Sequence, residues 1–251
     1  MNKHSTDPET VNLAGYEFYS RSMDKLMEDH ILPKIKARAK NFIVTANPEI
    51  VMYANKHDDF RSIITRADFI VPDGIGIVLA SKWLNKPVTE RIAGYDLFIR
   101  LLQEANTYKK KVYFLGAEEK NVRKVVSKVN NEYENIIITG FKSGYDLPTD
   151  AHMVKEINAL KPDIVFVALG YPLQEKWIDR NLNEFQQGLF VGLGGSFDVY
   201  SGNLKRAPKI FQKLYLEWLF RLVQEPSRWK RMISIPQFMA MIISKKSKRV
   251  T

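Results

Sequence analysis

The sequence predicts an α/β fold: a Rossmann-like, mostly parallel sheet with flanking helices, followed by a basic amphipathic C-terminal helical appendage. Three observations carry this. Short runs rich in Val, Ile and Phe alternate with helical patterns between residues 41 and 195, as parallel strands joined by crossover helices do. The chain has 251 residues, 45% of them hydrophobic, which is enough to bury a full core. The formal charge of +10 is confined to the end of the chain. Between Lys205 and Thr251 lie 12 basic and 2 acidic side chains, while the remaining 26 of each sign cancel. Residues 1–204 therefore read as a neutral α/β body and 205–251 as a basic appendage.

In chain order, the first ten residues, "MNKHSTDPET", hold no apolar signal core. The strands follow as "NFIVTA" (41–46), "DFIVP" (68–72), "KVYFLG" (111–116), "NIIITG" (135–140), "DIVFVALG" (163–170) and "LFVGLGG" (189–195). Helical periodicity fills 94–107, 118–130 and 150–160. In such a sheet, ligands gather at the carboxyl ends of the strands.

The appendage differs in kind. In "KIFQKLYLEWLFRLV" (209–223), Ile210, Phe211, Leu214, Tyr215, Trp218, Leu219 and Leu222 share one helix face. This face is expected to pack on the body. Pro226 breaks that helix or starts another. In 226–249, Trp229, Met232, Ile233, Met239 and Ile243 fall close to one side, and "KKSKR" follows. Basic residues mixed with Trp, Phe and Met suit an anionic membrane surface, so this second segment is expected to dock there. Nucleic acid is disfavoured as a partner, because a phosphate grip needs mainly Lys and Arg. No apolar run approaches the roughly 18 residues of a membrane span. The chain has no cysteine, which excludes disulfides and fits a reducing cytosol. A peripheral protein on the inner face of the cell membrane is the expectation.

Polar residues stand at several strand ends. Thr45 and Asn47 follow the first strand, Asp73 the second, Gln174 and Glu175 the fifth, and Asp198 the sixth. Each could cap a helix or shape a turn, but together they converge on one rim of the sheet. Asp73 closes the apolar run "FIVPDGIGIV", where a carboxylate serves packing poorly and a reactive group well. Neither a G-x-x-x-x-G-K-[ST] loop nor a G-x-G-x-x-G after the first strand is present, against P-loop and nicotinamide chemistry. His4, His30, His57 and His152 are scattered, and no D-x-D pair exists to hold a divalent cation. No metal and no cofactor are expected, so phosphate charge would fall to arginines or helix N-termini.

The blocks "FIVTANPEIV", "VPDGIGIV", "ERIAGYDL", "LGYPLQEKWI" and "GGSFDVYSGNLKRAPKIFQKLYLEWLFRLVQEPSRWKR" resemble, in that order, the WecG/TagA/CpsF glycosyltransferases. The resemblance spans about residues 11–240 and is nearest to the TagA/TarA type of Gram-positive bacteria. It implies transfer of N-acetylmannosamine from a UDP-sugar donor to polyprenyl-diphosphate-linked GlcNAc, forming the linkage unit of wall teichoic acid. It further implies that Asp73 is the base of an inverting reaction and that Thr45 and Asn47 line the sugar pocket. Arg91 and Gln174 match donor-contacting positions. Arg221, Arg228 and Arg231 match basic residues of the appendage that close over the site and meet diphosphate. A homo-oligomer is compatible with the resemblance. The alternative is a family member using another UDP-sugar, such as N-acetylmannosaminuronic or glucuronic acid, whose extra anion would want an additional cation in the sugar pocket.

Overall fold

The computed structural model describes residues 9–145 and 148–250, with side chains given as far as Ser244. His4, and the side chains of Lys245, Lys246, Lys248 and Arg249 in "KKSKR", lie outside the described residues.

Eight strands form one sheet: β1 (Thr10–Leu13), β2 (Tyr16–Tyr19), β3 (Asn41–Ala46), β4 (Phe69–Pro72), β5 (Lys111–Gly116), β6 (Ile137–Lys142), β7 (Ile164–Ala168) and β8 (Leu189–Gly192). Their spatial order is β1-β2-β4-β3-β8-β7-β5-β6. Every pairing is parallel except β1 with β2. The six expected strands are present, β3 and β5 with the expected bounds and the others with trimmed or shifted ends. The two short N-terminal strands are an addition, closed by the two-residue turn Ala14–Gly15 with both residues at positive φ, as tight hairpins require.

Period-two geometry sorts the buried side chains onto two faces. Tyr113, Leu115, Val165 and Val167 belong to one core, and Val112, Phe114, Ile164 and Phe166 to the other. Both faces are covered by helices, which explains why the central strands read as unbroken apolar runs. The helices Gly94–Thr107 and Glu119–Glu132 supply Leu97, Phe98, Val122 and Val125 to one face. On the other face, Pro48–Ala54 supplies Ile50 and Val51.

The tail corrects two expectations. Residues 209–223 do not form one helix: Lys209–Lys213 and Glu217–Gln224 are separate, and Tyr215 between them is left-handed at φ 59°. Neither helix buries a residue, and Val223 is 73% exposed. The later segment packs instead. Ser234–Val250 lies against the helices Pro48–Ala54 and Ile75–Trp83, placing Phe238 and Ile242 in the core. Asn55 Nδ2 meets Met241 Sδ at 3.2 Å. Packing on the body thus falls to 234–242, where membrane docking is expected from the sequence. The open apolar face falls to 209–223. Helical periodicity identifies an apolar face but not the surface that covers it.

Candidate active site

β4, β3 and β8 are adjacent, and the chain leaves β3 toward β4 while β8 lies on the opposite side. Such a reversal opens a crevice at the strand carboxyl ends. Asp73 stands there as the first residue after β4, and its N–H donates to Ala46 O at 2.9 Å. Gly74, at φ 91°, turns the chain into the helix Ile75–Trp83 and is its N-cap, with no side-chain capping bond. Only glycine holds that conformation cheaply. Asp73 therefore does not cap the helix it precedes; its carboxyl lines the cavity and accepts a hydrogen bond from the backbone of Gly94, the first residue of the helix Gly94–Thr107.

Asn47 does cap: its Oδ1 accepts the Ile50 N–H at 3.0 Å. It also lines the cavity. Ile92 N–H donates to Pro72 O at 3.0 Å, which brings Arg91 beside the end of β4. Burial pushes the Asp73 carboxyl above the usual carboxylate range. Arg91, Arg221 and a hydrogen bond from the Gly94 backbone hold it down, while Glu217 adds to the rise. A carboxylate so placed accepts a proton more readily than an exposed one.

The tail forms the opposite wall. Arg206, Tyr215, Glu217, Trp218, Arg221, Arg228, Arg231 and Met232 all line the same cavity as Asp73. Most of its arginines are held by carboxylates. Arg91 Nη2 pairs with Glu217 Oε2 at 3.0 Å, Arg228 with Glu225 at 3.1 Å, Arg231 with Glu49 at 3.5 Å, and Arg206 with Asp96. Arg221 is the cavity arginine that makes no ion pair among the described residues, yet its charge is felt by both Asp73 and Asp198. It is the cation most available to an incoming anion.

The structure thus brings Asn47, Asp73, Arg91, Arg221, Arg228 and Arg231 around one cavity. Thr45 and Gln174 sit in the layer beneath it. Thr45 Oγ1 donates to Gly192 O at 2.9 Å. Gln174, 2% exposed, accepts the Gly194 N–H at 2.9 Å and donates to Glu175 Oε1 at 2.7 Å. A Cβ on Gly192 would meet Gln174 Nε2 at 2.7 Å, so a bulkier residue there would displace this pair. Thr45 and Gln174 shape the glycine turn after β8 from below. Glu175 is 0% exposed, and burial raises its pKa to about 7. Asp198 accepts from Asn121 Nδ2 at 2.7 Å, and burial raises it as well. No group of three or more metal-ligating side chains is gathered among the described residues.

The sequence reading misses Glu49, Arg206 and Glu217. A signal for Glu217 exists: it and Glu225 are the two acids in the basic appendage, and both hold arginines of the site.

A carboxylate facing arginines at the switch point of a parallel sheet can serve as a base beside an anion-binding wall. The chain belongs to the glycosyl transferase WecG/TagA/CpsF family, whose model matches residues 11–251. It is similar to three proteins named N-acetylglucosaminyldiphosphoundecaprenol N-acetyl-beta-D-mannosaminyltransferase. Identity is 46% to that of Bacillus spizizenii over 80% of this chain and 78% of that protein. It is 44% to that of Bacillus subtilis strain 168, over 91% and 88%. It is 38% to that of Staphylococcus aureus strain MW2, over 95% and 94%.

Proposed function

We propose that this protein transfers N-acetylmannosamine from UDP-ManNAc to undecaprenyl-diphosphate-linked GlcNAc, with inversion at the anomeric carbon, and so builds the linkage unit of wall teichoic acid. The observation that carries the reading is the Asp73 carboxyl on the wall of an arginine-lined cavity, in a chain 38–46% identical to proteins named for this reaction.

In this mechanism an acceptor hydroxyl attacks the anomeric carbon of the donor. Asp73 takes the hydroxyl proton as the new C–O bond forms. The bond to the donor diphosphate breaks, and its electron pair leaves with UDP. Arg221, together with Arg91, Arg228 and Arg231, stabilises the charge that develops on the leaving group. Thr45, Gln174 and Asn47 keep the walls in place.

The lipid acceptor brings the enzyme to the inner face of the membrane. No described helix is long and apolar enough to cross a membrane. Ile210, Leu214, Leu219, Val223, Trp229 and Ile233 are exposed on the tail, and such side chains insert at a headgroup boundary. Incubation with UDP-ManNAc and a short-chain lipid-diphosphate GlcNAc tests the reading: mass spectrometry should find the disaccharide lipid and UDP. Hydrolysis of the donor without product would contradict it.

A further inference from the structure

Two apolar stripes leave the cavity side by side. The helix Ile75–Trp83 starts at the cavity wall, which Ile75 lines. Leu79 and Trp83 follow at four-residue steps, on the same helix face, and are 47% and 49% exposed. The helix Ser234–Val250 also starts at the cavity, which Ile235 lines. Met239 and Ile243 continue that stripe at the same spacing. The two helices pack against each other, and both run away from the cavity. Met241 is turned toward the end of the helix Pro48–Ala54, where it meets Asn55. Met239 and Ile243 each lie about 200° round from Met241, so their stripe faces away from that helix.

The track so formed has a chemistry and a length. No Asp or Glu occurs between Gly74 and Thr89 or after Glu225, so neither helix contributes a carboxylate. The outer end carries cations instead: Lys82 and Lys86 are exposed, and Lys245 and Lys246 follow Ile243 in the sequence. From Ile75 to Trp83 the helix spans about 12 Å, the reach of about two or three isoprene units. A track that begins at an arginine-lined cavity, is apolar along its length and ends among cations fits one kind of ligand. That ligand has an anionic head and a hydrocarbon tail leading back to an anionic membrane. A second copy of the chain would set the same cations against these, which like charge disfavours.

Building on the glycosyl-transfer reading above, we propose that this track is the binding site for the prenyl chain of the acceptor. The diphosphate rests among the cavity arginines. The first isoprene units lie between Leu79 and Trp83 on one side and Met239 and Ile243 on the other, and the rest of the chain continues into the bilayer.

Calorimetric binding to the full-length protein, without membrane or detergent, tests this with GlcNAc-diphosphate carrying either a methyl or a farnesyl group. The wild type should bind the farnesyl compound at least about tenfold more tightly, because the added hydrocarbon leaves water. Leu79→Ser with Trp83→Ser should shrink that gap to less than about threefold and change the Kd of the methyl compound less than about twofold. Both side chains are exposed, so the variant should keep the wild-type thermal midpoint. A farnesyl compound with a terminal diazirine should crosslink, on illumination, within 79–83 or 239–243. Equal affinity of the wild type for the two compounds would overturn the proposal, as would a farnesyl advantage that survives the double substitution or crosslinks confined to other segments. So would a variant that loses only its binding to empty phosphatidylglycerol vesicles, since the face would then be a membrane contact and not a chain site. Should the farnesyl compound bind with this dependence but accept no sugar from UDP-ManNAc, the transfer reading fails and the track stands. Transfer to methyl and farnesyl acceptors with equal KM would remove the track alone.

Discussion

Arg91 and Glu217 meet at 3.0 Å across the boundary between the sheet body and the tail. Arg91 follows the strand that delivers Asp73, and Glu217 opens the tail helix that carries Arg221. The ion pair thus joins the two halves of one cavity. Both side chains are largely shielded from water, where breaking a pair by removing one partner is costly because a charge is left behind. Without the tail Asp73 would keep Arg91 but lose Arg221.

Arg221 makes no ion pair among the described residues, so its removal should spare stability. Arg221→Gln should leave the thermal midpoint within about 1 °C and lower kcat/KM on a water-soluble acceptor by about 10²-fold, the usual cost of losing one charge-stabilising donor. Equal activity in the variant would remove Arg221 from the site.

Glu175 gives a pH-dependent prediction. Its folded pKa of about 7 lies above the ordinary value of 4.5, so the folded state holds a proton that the unfolded chain releases. The stability this adds is fully present below pH 4.5 and is lost as pH rises through about 7. Glu175→Gln cannot ionise and should be more stable than wild type at pH 8, by an amount on the order of 3 kcal/mol, with no such gain at pH 4. Denaturant unfolding at the two pH values checks this; a constant difference would show that Glu175 is already compensated.

Phe238 is fully buried although it lies in the tail. Phe238→Ala should destabilise the fold by about 3–5 kcal/mol, visible as a lower denaturation midpoint. A loss under about 1 kcal/mol would mean that the helix Ser234–Val250 does not stay seated on the body.

Val223 and Trp229 have the opposite character. Both are exposed, so Val223→Ser with Trp229→Ser should alter stability by no more than about 0.5 kcal/mol each. Binding to anionic vesicles should weaken about tenfold or more, because each apolar side chain that enters the interface contributes about 1.5–3 kcal/mol. Sedimentation with vesicles of phosphatidylglycerol measures it, and undiminished binding would contradict the docking role.

Much of the site was legible because strand and chemistry share one signal. Asn47 and Asp73 stand out in the sequence as polar residues ending apolar runs, and both line the cavity. Less was legible where an interaction joins distant segments. The pairing of Arg91 with Glu217 spans 126 positions, and no local pattern announces it. The β1–β2 hairpin escaped because its strands, TVNL and YEFY, are interrupted by the polar Thr10, Asn12 and Glu17 and do not read as apolar runs like those of the central sheet. In the tail, an apolar face on Ile210 and Leu214 looks the same in sequence as one on Phe238 and Ile242. One is open and the other is core, and only the three-dimensional fit of 234–242 against the body separates them.

Asp73→Asn separates a catalytic base from a merely structural carboxylate. The amide matches the carboxylate in size, and its oxygen can still accept the Gly94 N–H at the start of the helix Gly94–Thr107. The fold and donor binding should persist while kcat on the soluble acceptor falls about 10²–10⁴-fold. In the wild type, kcat should fall with acidification, because protonated Asp73 accepts no proton. The fall should begin above the usual carboxylate range, since burial raises this group. An Asp73→Asn enzyme that turns over at the wild-type rate with the same pH profile would contradict the account.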